Sequence, residues 1–364
     1  SGPENGLMLN DEYHHNPLPW KRMLAALMFA LLPQWVMAQS EIDVVILWDA
    51  NRTEQLKYSG RILEYTNLHL TMKMSSGVER QIESNRVVEI MTAWRSEYRE
   101  AEDLFHEKQY ERAEKGFRRA ATQETRGWIQ ERIQARILLC LRAQGKWTAA
   151  ATLFSEGVQK TNPASPYLST IPLAWHPLEL TPPQQGQATR FLASTFPLER
   201  LIGASWLLAS PIRGKAIAVL QQLELNSNKE LAILATAQLW RTKLPIALAA
   251  DLVQWQKTID RLPLALQAGP LYVLGQLQKQ QQATEHAVLT WMRVVILYPQ
   301  NHQLNSEVLL AAIGALHQLD KPTQALTLCR ELKNNYESTT AAGQASRWIE
   351  QIQQEIMAAD NKVQ

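Results

Sequence analysis

The histidines carry the side chains best suited to catalysis or metal binding in this 364-residue sequence. His176, His286, His302 and His317 are scattered among predicted helices, with no carboxylate or cysteine at the spacing of a catalytic triad. The sequence also has no glycine-rich phosphate loop, no paired-cysteine zinc motif and no His-Glu-x-x-His helix. We therefore predict that these histidines are structural or surface residues, that the chain uses no metal or cofactor, and that it is not an enzyme.

The two cysteines, Cys140 and Cys329, fall on the apolar faces of predicted helices. They are too few for a disulfide framework and lack the spacing of a metal site. We predict buried free thiols. A bridge between the two remains the alternative, because an oxidising compartment would permit it.

An arginine-rich stretch could recognise carboxylates or phosphates. Its members are Arg118, Arg119, Arg126, Arg132 and Arg136. Glutamates are interleaved with them, so the pattern favours a solvated helix face of mixed charge. The net charge of +2, from 37 basic and 35 acidic residues, gives no strong field either. No nucleic-acid partner is expected.

The 12 tryptophans of the sequence mostly recur at the spacing of a helix core. Core filling is therefore their expected role. The alternative is a functional surface around Trp175, in a proline-rich segment, where stacked aromatic rings would bind carbohydrate or line the active site of an enzyme.

A helix-pair pattern is the clearest structural signal in the sequence. Leu274 and Gly275 are followed by Ala287, Trp291 and Pro299. Small residues at a helix crossing let two helices approach closely, an aromatic side chain fills the space beside the crossing, and a proline ends the pair. The spacing predicts two antiparallel amphipathic helices.

The same pattern recurs at both ends of the chain. Ala113 and Ala150 occupy equivalent positions in two N-terminal pairs, and Ala287 and Ala325 do so in two C-terminal pairs. An amphipathic helix from about residue 339 to 357 would cap the array. The repeat length is close to that of tetratricopeptide repeats, which the chain resembles. That resemblance implies an αα solenoid that binds other proteins and carries out no reaction.

The middle of the chain gives a weaker signal. Residues 161–186 are rich in proline, which cannot continue a helix, so they predict a crossing segment that packs on the solenoid through Ile171, Leu173 and Trp175. We predict five further helices, near residues 187–195, 198–209, 213–224, 229–241 and 246–260, as diverged repeats.

Short alternating runs predict a small β module before the helices. The runs are Val44–Leu47, Gly60–Tyr65, Leu68–Met72, Val78–Ile82 and Val87–Ile90. Residues 60–70 resemble the first motif of Sm-like barrels, a glycine-bent strand that leads into a second strand. In that family a turn acid or amide and an arginine-glycine pair bind RNA bases. Here Thr66 stands in the turn and Val87 follows Arg86, so the base pocket is not matched.

The N-terminus has the three parts of a secretory signal. Lys21 and Arg22 precede the apolar run Met23–Leu32, and small residues follow up to Ala38. We predict cleavage after Ala38 and a periplasmic or extracellular location. The alternative is an uncut single membrane anchor, which would be the chain's only contact with a membrane.

Taken together, these patterns predict a mainly α protein, a tetratricopeptide-like αα solenoid preceded by a small all-β, barrel-like domain. The predicted divisions are an N-terminal extension and signal (1–38), the β module (39–92), N-terminal helix pairs (93–160), the crossing segment (161–186), a C-terminal solenoid (187–357) and a tail (358–364). The resemblance implies an exported, non-enzymatic scaffold that binds proteins or peptides along a groove formed by the first helix of each pair. From helix phase, the outward polar residues of this groove are predicted to be Tyr98, Arg132, Arg142, Tyr272, Gln276 and Lys279.

Overall fold

The computed structural model describes residues 42–66, 68–158 and 166–363. The predicted signal and its cleavage site lie outside the described residues, as does the first part of the crossing segment. The remaining chain forms a five-stranded antiparallel sheet followed by helices, which confirms the predicted fold class.

The sheet is built from β1 (Asp43–Trp48), β2 (Gln55–Tyr65), β3 (His69–Met74), β4 (Glu79–Glu83) and β5 (Val87–Met91). Its strand order is β4-β3-β2-β1-β5, so the last strand returns to pair with the first. Register shifts interrupt the β1–β5 and β2–β3 pairs, and such irregularities increase strand bending. Each predicted run is a strand, but β2 begins five residues before Gly60. Its first half alternates polar residues with Leu56 and Tyr58, a period-two pattern that the predicted run did not include.

Fourteen helices follow in the described residues. They are α1 (Ser96–His106), α2 (Tyr110–Gln123), α3 (Gly127–Ala143), α4 (Trp147–Val158), α5 (Pro182–Leu192), α6 (Pro197–Leu207), α7 (Arg213–Leu223), α8 (Lys229–Lys243), α9 (Ala249–Ile259), α10 (Ala268–Gln280), α11 (Thr284–Leu297), α12 (His302–Gln318), α13 (Pro322–Asn335) and α14 (Thr340–Val363). Consecutive helices pack as antiparallel hairpins. The alternate helices α6, α8, α10, α12 and α14 also contact one another in that order. We call these five the inner layer.

Close helix crossings explain the small residues of the repeat pattern. A Cβ atom on Gly275 of α10 would overlap the indole ring of Trp291 on α11. The Trp291 Nε1 atom donates a hydrogen bond to the Tyr272 carbonyl at 3.1 Å, which fixes the ring against the α10 backbone. Gly116 of α2 meets Ala101 of α1 in the same way. The predicted template therefore describes real backbone contacts.

One helix begins earlier than predicted. The structure starts α5 at Pro182, inside the segment expected to be irregular up to residue 186. Proline is well tolerated in the first turn of a helix, where its missing N–H has no intrahelical partner. Gln184 accepts a hydrogen bond from the Thr181 backbone N–H at 2.9 Å and supports this start.

A buried polar network joins the sheet to the helices. The Asp43 carboxylate accepts hydrogen bonds from the Ile62 N–H at 2.7 Å and from the Thr92 hydroxyl at 2.5 Å. Arg126 donates in turn to Thr92 and forms a 2.8 Å ion pair with Glu124. Because these groups are buried and paired, they hold the β module in one position against α3.

The two ends of the helical array meet. α12 packs against α3, and Gln303 donates a hydrogen bond to the Ala143 carbonyl at 3.5 Å. Lys108, in the α1–α2 turn, donates to Asn335 at the end of α13 at 2.8 Å. The array therefore closes on itself, which nearest-neighbour repeat patterns do not predict.

Both cysteines are buried free thiols, as predicted. Burial raises the pKa of the Cys140 thiol to about 12 and that of Cys329 to about 11. Within the described ranges, no helix is both long and apolar enough to cross a membrane.

Candidate functional site

The inner layer holds an irregular segment of the chain itself. Residues 171–177, which we call the inner segment, have no regular secondary structure and follow a short 3-10 turn. Their apolar side chains are buried, in agreement with the predicted packing on the solenoid. The buried members are Ile171, Leu173, Ala174 and Trp175.

Side chains of α6 bind the backbone of the inner segment. Trp206 donates its Nε1 hydrogen to the Pro172 carbonyl at 2.8 Å. The Ser205 hydroxyl oxygen accepts a hydrogen bond from the Ala174 N–H at 3.2 Å. These contacts are made to main-chain atoms, so they do not depend on a particular side chain of the segment.

α8 supplies the strongest donors to the same segment. Arg241 donates to the carbonyls of Ala174, Ser205 and His176 at 2.8, 3.0 and 3.1 Å. Gln238 also donates to the Ala174 carbonyl, at 3.0 Å. Burial lowers the pKa of the Arg241 guanidinium to about 10, yet the group stays charged at neutral pH. A half-buried cation that donates to several carbonyls binds the segment firmly to α6 and α8.

Trp175 packs against α10 and is not a surface platform. Only 8% of the residue is exposed, and a Cβ atom on Gly269 would overlap its ring. Burial and the nearby Arg241 lower the pKa of the neighbouring His176 to about 4, so its imidazole is neutral at physiological pH. The alternative prediction, a carbohydrate-stacking surface at Trp175, requires an exposed ring, and the Trp175 ring is buried in this structure.

The inner layer also contributes to an open groove. It lies between α10 and α12, has a volume of about 730 Å³, and is rich in side-chain amides. Its lining residues are Leu244, Gln276, Lys279, Gln280, Gln282, Thr284, Trp291, Ala311, Gln318 and Leu319. Amide and ammonium groups offer hydrogen bonds to peptide carbonyls. We call this surface the amide groove.

Lys279 supplies the positive charge of the amide groove. Its Nζ atom lies on the Gly314 side of α12, 4.0 Å from where a Cβ atom on that glycine would stand. No carboxylate of the described residues lies within 4.0 Å of this ammonium. Lys279 and Gln276 are both half-buried, so the groove does contain two of the residues predicted for it.

Three of the predicted groove residues do not face solvent. Tyr98, Arg142 and Tyr272 are 5%, 9% and 5% exposed, so the expected outward orientation is wrong for them. The ring of Tyr98 is covered by Trp94 and by Phe117 of its own hairpin. α3 and α10 are covered by elements outside their own hairpins, such as α12. Helix phase alone does not show these contacts.

Each of the three has a different environment. Tyr98 stacks on Trp94 with ring centroids 4.5 Å apart. Arg142 is enclosed where α3 meets α4 and α12, and burial lowers its pKa to about 10. Burial, followed by the Glu307 carboxylate, raises the pKa of Tyr272 far above its usual value. We assign all three to the support of the fold.

Arg132, the sixth predicted residue, lines a second cleft, between the sheet and the helices. This cleft has a volume of about 660 Å³ and lies between β5 and the helices α1 and α3. Its lining residues are Tyr65, Val87, Val88, Glu89, Ile90, Trp94, Tyr98, Arg99, Glu102, Asp103, His106, Arg132 and Arg136. We call it the sheet-edge cleft.

Aromatic rings and one ion pair organise the sheet-edge cleft. The Arg132 guanidinium lies over the Trp94 ring, 5.4 Å from its centroid. Arg136 donates to Glu102 at 2.7 Å, and Glu102 also accepts a hydrogen bond from the Tyr98 hydroxyl. Burial raises the pKa of Tyr98 to about 12, so the phenol is a donor at neutral pH. The mixed-charge face predicted for this stretch is therefore partly a cleft wall.

The Sm-like positions have structural roles in this chain. The Thr66 hydroxyl accepts hydrogen bonds from the N–H groups of Leu68 and His69 at 3.2 and 3.1 Å, which closes the β2–β3 turn. Arg86 donates to the Trp48 carbonyl at 2.9 Å. Both side chains stabilise the sheet.

Sequence reasoning missed the residues that bind the inner segment. Ser205 is far in sequence from Gln238 and Arg241, which share the helix α8, and the three residues belong to no motif. A polar residue on the otherwise apolar face of a predicted helix was the one available signal. Among the described residues, no cluster of three or more His, Cys, Asp or Glu side chains could hold a metal ion. Comparison with protein-family models and with curated proteins finds no match to this chain.

Proposed function

We propose that this chain is a non-enzymatic scaffold that binds an extended segment of a partner protein in the amide groove. One observation carries the proposal. α6 and α8 of the inner layer already bind a peptide segment without regular secondary structure, the chain's own residues 171–177, through its backbone. The amide groove is formed by two further helices of that layer, α10 and α12, presents amide and ammonium donors, and is open to solvent.

We also propose that the hairpins are of the tetratricopeptide type. α10 and α12 begin 34 residues apart (302 minus 268), which is the repeat length of that class. The Gly275–Trp291 contact supplies the small-and-aromatic crossing expected of it. The β module is proposed to be of the Sm-like or SH3-like type, because β5 pairs back to β1 and a 3-10 turn, Ser84–Arg86, separates β4 from β5.

Site-specific crosslinking tests the groove. A photo-crosslinking amino acid at the lining position Gln280 should capture a partner from extract, and the capture should be lost when Lys279→Ala and Gln276→Ala are added. The matched control is the same crosslinker at Lys333, an exposed position on α13 outside the groove. Equal capture from both positions, or capture that is insensitive to the two alanines, would contradict the proposal.

Export is a separate proposal, based on the signal-like pattern that ends at Ala38. Mass spectrometry of the protein from an extracytoplasmic fraction should find a chain that begins at Gln39. Detection of the intact N-terminus in a membrane fraction would instead support the uncut anchor.

A further inference from the structure

The two edges of the sheet differ in how they are protected. β4 carries Glu79, Arg80 and Glu83, and charged edge residues discourage pairing with another chain. β5, at the opposite edge, has the sequence Val-Val-Glu-Ile-Met and contains neither lysine nor proline. Val88 and Met91 are 46% and 49% exposed on it. β5 therefore carries one charged residue, Glu89, against three on β4.

The less charged edge, β5, faces the sheet-edge cleft. Four consecutive β5 residues, 87–90, line the cleft opposite α1 and α3. Alternate N–H and C=O groups of an edge strand point away from its neighbour, and a further strand would add at a spacing of about 4.8 Å. The outer edge of β5 can therefore be paired by a chain that enters the cleft.

The cleft also offers one partly buried charge without an acidic partner. Arg132 lies over Trp94, and no carboxylate in the described part of the chain lies within 4.0 Å of its guanidinium. Arg136, one turn along α3, is in contrast paired with Glu102. The other unpaired charges of the lining, Arg99, Glu89 and Asp103, are exposed, so water solvates them. Arg132 is the group that gains most from a carboxylate.

We propose that the sheet-edge cleft is a second binding site, in which an extended segment of a partner protein pairs with the outer edge of β5 and places an acidic side chain on Arg132. Main-chain pairing supplies affinity in such complexes, and the alternate side chains supply selectivity. Val88 and Met91 favour β-branched or other apolar residues on the partner strand. The site is separate from the amide groove and does not depend on it.

Peptide binding to the full chain tests this assignment. The probe is a fluorescent, end-blocked peptide of alternating threonine and valine with one central glutamate. Replacing that glutamate by glutamine should weaken binding about tenfold, because it removes a charge-assisted hydrogen bond. The R132Q variant should bind both peptides equally weakly. R119Q removes an exposed arginine outside the cleft and should bind them as the unmodified chain does.

Two further peptides test the pairing itself. N-methylation of alternate amides along one edge of the peptide should abolish binding, whereas methylation along the other edge should be tolerated. Hydrogen exchange should then slow at the β5 amides and stay unchanged at β4. The assignment is overturned if both methylated peptides bind as well as the parent, if exchange slows at β4 instead, or if no binding occurs at about 1 mM peptide. Dimers of the chain with exchange protection at β5 would also overturn it, because the edge would then serve a second copy.

Discussion

Tyr110 at the start of α2 and His302 at the start of α12 lie edge to face, with ring centroids 5.1 Å apart, although 192 residues separate them in sequence. Tyr336 covers the other side of His302 at 4.7 Å. The three rings join the first hairpin of the array to its last ones. The helical region therefore has contacts between its ends in addition to those between neighbours.

Removal of Tyr110 should destabilise the whole helical region. Tyr110→Ala leaves a gap between the two ends, and we expect a loss of about 2–4 kcal/mol in the free energy of unfolding, measured by urea denaturation. Phe196→Ala is the control, because Phe196 is 46% exposed. If Tyr110→Ala accelerated hydrogen exchange only within α1 and α2, the contacts between the two ends of the helical region would make no contribution to the stability of the rest.

The stability of the fold should fall in mild acid. Burial lowers the pKa of both His302 and His176 to about 4, whereas an unfolded histidine titrates near 6.5. Both are neutral in the fold, so their contribution is fully present above about pH 6.5 and is lost as the pH falls through 4. The loss approaches about 3 kcal/mol for each histidine. The melting temperature should fall less between pH 7 and pH 4.5 for His302→Phe than for the unmodified chain. His286→Phe, at an exposed position, controls for the substitution itself.

The contact between Gly269 and Trp175 leaves no room for a methyl group. Gly269→Ala should expel the indole ring and cost about 2–4 kcal/mol of stability. Gly186 is a matched control within α5, because nothing lies near the position of its Cβ atom. Gly186→Ala should stabilise the protein by about 0.5–1 kcal/mol. Equal stability of the two variants would show that the packing of Trp175 against Gly269 does not contribute to stability.

Arg241 should be required for the position of the inner segment. Arg241→Met keeps the length of the side chain but removes every donor to the carbonyls of Ala174, Ser205 and His176. We expect faster hydrogen exchange in residues 171–177 and a loss of about 2–4 kcal/mol in stability. Arg190→Met, at an exposed position on α5, should change neither quantity. Unchanged exchange in Arg241→Met would show that apolar burial alone holds the segment.

The two thiols should be unreactive in the folded protein. Cys140 and Cys329 are fully buried and burial raises their pKa values, so little thiolate forms at neutral pH. A maleimide reagent should label neither cysteine in buffer and both in denaturant, without prior reduction. Labelling in denaturant that requires a reductant would reveal a disulfide.

The sequence predicts the local structure of this chain better than its long-range contacts. Helical periodicity and the Gly275–Trp291 spacing locate the hairpins, because those features describe contacts between adjacent helices. The first half of β2 is missed although Leu56 and Tyr58 alternate there with polar residues, which is the period-two pattern of a strand. The contact between the two ends of the array at His302 corresponds to no periodic pattern in the sequence.

For the candidate site, too, the sequence predicts what depends on one helix better than what depends on long-range contacts. Gln276 and Lys279 are found in the amide groove because they lie on the accessible side of one amphipathic helix. Tyr98 is misplaced because Trp94 and Phe117 pack on its ring, and Arg142 is misplaced because α12, far away in the chain, covers its helix. The inner segment is predicted to pack on the solenoid, but its position depends on side chains such as Ser205 and Arg241, and only the fold brings these together.

The inner segment also restricts how this array can change in length. Arrays in which each hairpin meets only its neighbours tolerate the gain or loss of a unit. Here the inner segment is hydrogen-bonded to α6 and α8, and its Trp175 side chain packs against α10. An added hairpin between α6 and α10 would carry those anchor points out of reach of one another. The length of the segment thus limits the number of hairpins that can lie between its contacts on α6 and its contact on α10.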